Sequence, residues 1–511
     1  MSLTVEERVT ARLASPWKRG GAAALAGAVP ALAFPAPSLW WLAYVALVPW
    51  MLLIRSAPTP KRAALDGWFG GAGFMLAVHH WLLPSLNVFI VVLALILGAL
   101  WAPWGWLVRR LLGQDAGRAQ VASALVLVPC GWLMVELVRS WQGLGGPWGL
   151  LGASQWEVRP ALRLASLGGV WLLSFLVVLL NTSVAALVAR PGARRPAVAA
   201  LVVTAVATSV VWWWAPRPQQ SGSVRVAVVQ PGVMPTAESR LDREIALTQQ
   251  LAGSHPDLVV WGESSVGVDL SSHPAVADRL ASLSASIGAD LLVNVDAPKA
   301  DGSGISKTSE LIGPDGVTGP TYDKMRLVPF GEYIPMRSVL GWATSVGKAA
   351  DQNRRPGKHQ VVMDAPGLRF APLVCFETAF PDMSRHLAGD GAQVLVAQSS
   401  TSSFQDSWAP AQHASLAALR AAETWRPMVH ATLTGISAVY DGNGHAVGHR
   451  VGTGSSTTTL YRVPLSTGVS PYVRFGDWVP HLALLLVLVS AAYEATRLVR
   501  RPAPALPGQS P

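Results

Sequence analysis

Cysteine is nearly absent: Cys130 and Cys375 are the only two in 511 residues. This excludes a disulfide framework and a cysteine-rich metal site, and no metal or cofactor is expected. Charge is scarce as well, at 14% of residues against 51% apolar, too little for an ordinary soluble protein of this length. A basic face is missing. The formal net charge of +10 would suit a nucleic acid, but most Lys and Arg outside the middle of the chain sit in short clusters between apolar runs. They read as topology signals, so no nucleic-acid partner is expected. The sequence also has no internal repeat and no phosphate-binding glycine-rich loop.

Apolar runs and 22 tryptophans are abundant. Runs long enough to cross a bilayer, about 17 to 25 residues each, fall near 20–36, 38–54, 66–84, 87–108, 120–138, 162–188, 197–214 and 478–496. Every second connection is basic: Arg8, Arg12, Lys18 and Arg19; Arg55, Lys61 and Arg62; Arg109, Arg110 and Arg118; Arg190, Arg194 and Arg195; and Arg497, Arg500 and Arg501. The positive-inside rule then places these loops and both termini in the cytoplasm, and seven spans before residue 218 put the polar block outside. The expected organisation is a seven-span region (1–217), an extracytoplasmic domain (218–475), a final span (476–498) and a cytoplasmic, Pro-rich disordered tail (499–511). Ala31-Leu32-Ala33 also has the look of a signal-peptide cleavage site. Loss of that run would leave the polar block on the same side.

Within the polar block, Val224–Val229, Leu258–Trp261, Leu291–Val295, Phe370–Cys375 and Val394–Ala397 read as strands. The segments 237–252, 273–286 and 409–424 have helical apolar spacing. An α/β domain of roughly 245 residues follows, large enough for its own core. Three polar groups stand at strand ends, where such domains place their sites. Glu263 directly follows a strand, although a helix-start carboxylate would look the same. Lys324 opens the charged loop Tyr322-Asp323-Lys324-Met325-Arg326-Leu327-Val328-Pro329-Phe330-Gly331-Glu332-Tyr333-Ile334-Pro335. Cys375 caps Leu373-Val374 and is followed by Phe376-Glu377, although a lone strand cysteine is often a small buried hydrophobe. Together, Glu, Lys and Cys at three strand ends form a nucleophile with a base and an electrostatic partner.

This arrangement resembles the nitrilase, or carbon–nitrogen hydrolase, superfamily. The eight-run frame, the Leu327-Val328-Pro329-Phe330-Gly331-Glu332-Tyr333-Ile334-Pro335 loop, and Glu136-Leu137-Val138-Arg139 followed by Gly146-Pro147-Trp148 are similar to the bacterial apolipoprotein N-acyltransferase family. The fold implied is a polytopic α-helical membrane bundle plus an α/β nitrilase-like αββα sandwich. The resemblance makes Cys375 the acylated nucleophile, Glu263 the general base and Lys324 the cation beside the oxyanion. Glu332 and Glu377 would orient the lysine and the thiol, and the Phe376 backbone N–H would be a second oxyanion donor. A nearby ammonium is expected to favour the thiolate.

The implied reaction is ping-pong acyl transfer in the inner membrane. A phospholipid acylates Cys375, and the α-amine of a diacylglyceryl-modified N-terminal cysteine of an apolipoprotein then takes the acyl group. Phe330, Tyr333, Ile334, Val339, Leu340 and Trp342 are candidates for apolar lining near the mouth, with core packing the alternative for each. The chain departs from the family at Gln398-Ser399-Ser400-Thr401-Ser402-Ser403-Phe404, where Asn-Asp-x-Trp-Phe is usual, and no Trp lies between Gln230 and Val260. Gly262 stands for a common Pro and Phe376 for a common Tyr. The competing readings are a membrane-tethered amidase or acyltransferase on another amine, and a non-catalytic transporter or scaffold using His79, His80 and Glu136.

Overall fold

The computed structural model describes residues 15–114, 116–189, 194–341 and 352–499. Trp342, Arg8, Arg12, Arg190 and the segment 500–511 lie outside the described residues, as do the side chains of Val339 and Leu340.

Among the described residues, twelve strands form two six-stranded sheets. The first contains β1 (Gln219–Gln230), β2 (Leu258–Trp261), β3 (Asp290–Pro298), β4 (Ile305–Gly313), β5 (Gly316–Asp323) and β12 (Thr457–Thr467), in the order β12-β1-β2-β3-β4-β5. The second contains β6 (Met363–Ala365), β7 (Leu368–Val374), β8 (Val394–Ser399), β9 (Met428–Thr432), β10 (Ser437–Tyr440) and β11 (Ala446–Val451), in reverse chain order. Pairing is parallel through β1, β2 and β3 and through β7, β8 and β9, and antiparallel elsewhere.

Strand alternation builds the layers. Val224, Val226, Val228, Leu258, Val260 and Leu292 meet Phe370, Val374, Val394 and Val396 between the sheets. On the outer side, Val229, Val259, Trp261 and Leu291 pack under helices Ala237–Gln249 and Pro274–Ile287. The opposite outer layer is different. Leu373, Leu395 and Ala397 share one cluster with helix Ala409–Thr424 and with the bundle tryptophans Trp50, Trp101 and Trp132. The αββα sandwich therefore rests on the bundle through a continuous apolar core.

Among the described residues, five helices are long and apolar enough to cross a membrane: Phe89–Leu112, Arg118–Arg139, Arg159–Ala189, Arg194–Trp214 and Trp478–Arg497. The first two apolar runs differ from expectation, because they are broken rather than continuous. Helix Pro16–Ala28 passes into a 3₁₀ turn at Val29–Ala33, and a second 3₁₀ turn, Trp40–Tyr44, precedes helix Val48–Arg55. Pro30, Pro35, Pro37 and Pro49 account for this, since each lacks an N–H and obstructs the preceding turn. The third run is helix Pro60–Val78. Its Gly70, Gly71 and Gly73 lie so close to Trp50, Gly98 and Ala24 that a methyl group would overlap each neighbour. Within it, buried Asp66 pairs with Arg19 at 2.8 Å and Arg62 at 2.9 Å.

Helix Arg159–Ala189 is interrupted at Gly168 and Gly169, where Gly169 has φ 67° and ψ −172°. The Val170 N–H freed there donates to Glu423 Oε1 of the α/β domain at 2.7 Å.

Candidate active site

The ends of the two sheets meet at β2 and β8. A Cβ on Gly262 would lie 2.0 Å from the Leu433 amide nitrogen, so only glycine lets the backbones approach this closely. The Glu263 and Leu433 amides both donate to the Ser399 carbonyl, at 3.2 and 2.8 Å. This locks Glu263 at the seam, 3% exposed. Lys324 directly follows β5, and its amide donates to the Lys307 carbonyl on β4 at 2.9 Å. Both lysines therefore face Glu263.

Lys324 Nζ donates to Glu263 Oε1 at 3.0 Å and to Glu332 Oε1 at 2.8 Å. Lys307 Nζ reaches the same two oxygens at 2.8 and 3.2 Å. Asp296 lies 3.7 Å from Lys307 and 3.1 Å from Arg354. Three carboxylates thus face three cations, which is how buried charge is tolerated. Burial opposes ionisation of Glu263, but the two ammonium groups outweigh it and hold its carboxyl well below the usual range. Glu332 is held low by the same lysines. Burial likewise disfavours the charged form of Lys324, yet Glu263 and Glu332 push its pKa well up.

Strand β7 ends at Val374, one residue earlier than the sequence implies, and Cys375 opens the 3₁₀ turn Cys375–Ala379. Cys375 has φ 51°, a left-handed conformation that a non-glycine residue holds only under constraint from its surroundings. Its Sγ makes a long contact of 3.9 Å to the Ser400 carbonyl. The expected lowering of the thiol pKa is not met. Burial, followed by the Glu263 charge, pushes it up to about 12, and Lys324 offsets this only in part. The reason is that Lys324 is already shared between two carboxylates. The site thus holds a thiol beside an ionised Glu263 carboxylate and two ammonium groups.

Glu332 Oε1 accepts from Lys324 Nζ, and its Oε2 also accepts from the Val328 amide at 2.8 Å. Glu377 acts elsewhere than on the thiol. Its Oε1 accepts from Tyr322 Oη and the Met325 and Arg326 amides, and its Oε2 accepts from the Val374 amide, all within 3.0 Å. It ties the strand before Cys375 to the loop after Lys324.

Phe376 packs edge-on against Phe380, with 5.0 Å between ring centroids, and both rings sit at Gly146 of the bundle. Phe330 has φ 64° and exchanges backbone contacts with Tyr333 beside Glu332. Both are half-buried, and Ile334 is buried.

Glu136 and Arg139 each hold the loop that follows their helix. Glu136 Oε1 accepts from the Leu151 amide at 2.7 Å, and Arg139 Nη1 donates to the Trp148 carbonyl at 2.6 Å. Trp148 and Trp81 of the bundle both donate to Gln412 Oε1, and Trp81 meets Phe404 at 4.9 Å. The unusual serine-rich segment therefore runs from the thiol to the bundle.

Sequence reasoning missed Lys307, which lies in the polar stretch Ile305-Ser306-Lys307-Thr308-Ser309-Glu310. Its only signal is the alternation of one lysine with small hydroxyl residues. His413 was missed too: its Nε2 lies 3.0 Å from the Cys375 carbonyl oxygen.

Residues 26–183 match the family described as apolipoprotein N-acyltransferase N-terminal domain, and residues 225–469 match carbon-nitrogen hydrolase. The chain is similar to the apolipoprotein N-acyltransferase of Geobacter metallireducens, with 30% identity over 89% of this chain and 91% of the relative. It is also similar to that of Azotobacter vinelandii, with 31% identity over 96% and 98%. An amidase structure from Nesterenkonia sp. aligns at 20% identity and a TM-score of 0.34, over 49% of this chain and 94% of that one.

Proposed function

This chain belongs to the apolipoprotein N-acyltransferase family, and from that premise we propose that it N-acylates lipoproteins through a thioester on Cys375. The donor is a membrane phospholipid. The acceptor is the α-amine of a diacylglyceryl-modified N-terminal cysteine. The carrying observation is the placement of Cys375, whose next residue packs on the bundle loop at Gly146 while Glu263 and Lys324 lie in one buried cluster behind it. Such a site lies where a bilayer-held substrate can reach it. A sixteen-carbon chain, at about 0.8 kcal/mol per CH₂, is held in the bilayer by on the order of 13 kcal/mol.

In the first half-reaction the Cys375 proton passes to the Glu263 carboxylate as the S–C bond forms at the ester carbonyl. Lys324 and the Phe376 N–H face the oxyanion. The C–O bond then breaks, Glu263 returns the proton to the leaving alcohol, and a lysophospholipid departs. In the second half-reaction the amine attacks the thioester, Glu263 takes its proton, the C–S bond breaks, and the thiolate is reprotonated. A base that is ionised beside a protonated thiol is the required starting state. The site faces the outer side of the inner membrane, and Phe330 and Tyr333 contribute to its mouth.

The test is complementation of a bacterial strain lacking N-acyltransferase, with lipoprotein N-termini read by mass spectrometry. N-acylated termini are expected with the wild-type chain and none with Cys375→Ala. Full N-acylation by the Cys375→Ala chain would sink the proposal.

A further inference from the structure

We infer that His413 is a positioning residue that aims the Phe376 N–H at the oxyanion, a role that rests on the thioester reading above. His413 lies on helix Ala409–Thr424, 1% exposed, and its Nε2 is 3.0 Å from the Cys375 carbonyl oxygen. A carbonyl only accepts, so Nε2 carries the proton and donates it. The neighbouring His430 faces the Ile436 carbonyl through Nδ1 at 2.9 Å, which assigns its proton in the same way. Burial holds both rings neutral at physiological pH, with His413 down at about 4 and His430 at about 3.

The Cys375 carbonyl and the Phe376 N–H belong to one planar trans peptide and point to opposite sides of it. Gripping the oxygen therefore sets the direction of the N–H. The grip matters because Cys375 has φ 51° and stands at the junction where strand β7 has ended and the 3₁₀ turn Cys375–Ala379 begins. The His413 ring is held in turn. Trp148 of the bundle lies 5.4 Å away and His430 lies 4.8 Å away, nearly perpendicular. A donated bond to the carbonyl also polarises the peptide, strengthening its N–H as a donor. His413 touches neither substrate nor thiol in this scheme. Its effect appears only in a step that builds negative charge on oxygen.

Two reactions of Cys375 separate these roles. Acylation by phospholipid passes through an oxyanion, whereas alkylation by iodoacetamide displaces iodide at carbon and does not. The full chain in detergent–phospholipid micelles is compared as wild type, His413→Leu and His413→Gln. Single-turnover acylation and alkylation of Cys375 are followed by intact-mass spectrometry, with thermal unfolding recorded for each variant. Loss of one oxyanion donor costs roughly 10²–10³-fold, and a misaimed donor retains part of its effect. His413→Leu is therefore expected to slow acylation about 10- to 100-fold while leaving alkylation unchanged. His413→Gln, whose amide can donate from a similar position, is expected to recover most of the acylation rate.

Equal slowing of both reactions in His413→Leu, or no slowing of either, would overturn the inference. So would a folded His413→Gln that acylates as slowly as His413→Leu, or, if the leucine variant does not fold, a folded His413→Gln whose acylation falls in step with its alkylation. Failure of the wild type itself to acylate Cys375 would instead overturn the thioester reading.

Discussion

A single oxygen of Glu263 accepts from both Lys307 and Lys324. In the proposed mechanism the two lysines have different tasks: Lys324 is shared with the oxyanion, while Lys307 keeps Glu263 ionised. Removing Lys307 in Lys307→Met should leave Glu263 with one cation and raise its pKa toward the ordinary carboxylate value of about 4.3 or above. The acid limb of kcat/KM should move to higher pH than in the wild type, with the plateau rate reduced; an unmoved limb would count against Lys307 as the group that depresses Glu263. The same cluster has a stability consequence. Glu263 and Glu332 have depressed folded values, so their contribution is complete above about 4.3 and is lost as pH falls through the folded values. Lys307 and Lys324 have raised values, so theirs is complete below about 10.4 and is lost only as pH rises beyond it. The cluster is therefore intact across the neutral range. Glu263, Lys324 and Cys375 were legible in the sequence because each ends a strand or its charged loop. Lys307 and His413 were not, because a polar strand has no apolar run to mark it and a helical histidine 38 positions away gains meaning only through a contact.

At the scale of elements, two breaks in regular structure join the domains. The turn at Cys375 presents the thiol, and the interruption at Gly168 and Gly169 opens a helix end for Glu423. Gly169 combines φ 67° with ψ −172°, a region essentially reserved for glycine. A Cβ there would also lie 2.7 Å from the Tyr472 ring. Gly169→Ala should destabilise the folded protein by about 1–3 kcal/mol, read as a lower thermal midpoint in micelles, and should loosen the α/β domain on the bundle. An unchanged midpoint would mean that the helix re-forms through the break without loss. The strands richest in Val, Ile and Leu were identifiable as short apolar or β-branched runs, β2 to the residue. Strands β4, β5 and β11 carry many polar residues and were not, since their register comes from neighbouring strands rather than from their own pattern.

For the whole molecule, the alternating basic loops make an orientation claim. With Cys130 and Cys375 replaced by alanine, the exposed positions Ser272 and Ala119 can carry single reporter cysteines. A membrane-impermeant maleimide applied to intact spheroplasts should label Ser272→Cys at once and Ala119→Cys only after lysis; the reverse pattern would invert the topology. Exposed Trp40, Trp41, Trp141, Trp213, Trp214 and Trp478 give the bundle amphipathic rings of the kind found at bilayer surfaces. Composition, apolar runs and strand-end motifs determined by themselves that this is a membrane protein with an α/β domain and a Glu–Lys–Cys set, because those properties are local and repeat along the chain. Whether each apolar run is one helix, which cations share Glu263, what holds the Cys375 peptide and how high the thiol pKa stands were decided only by the tertiary structure. They depend on burial and on contacts between distant residues, which hydropathy and spacing do not contain.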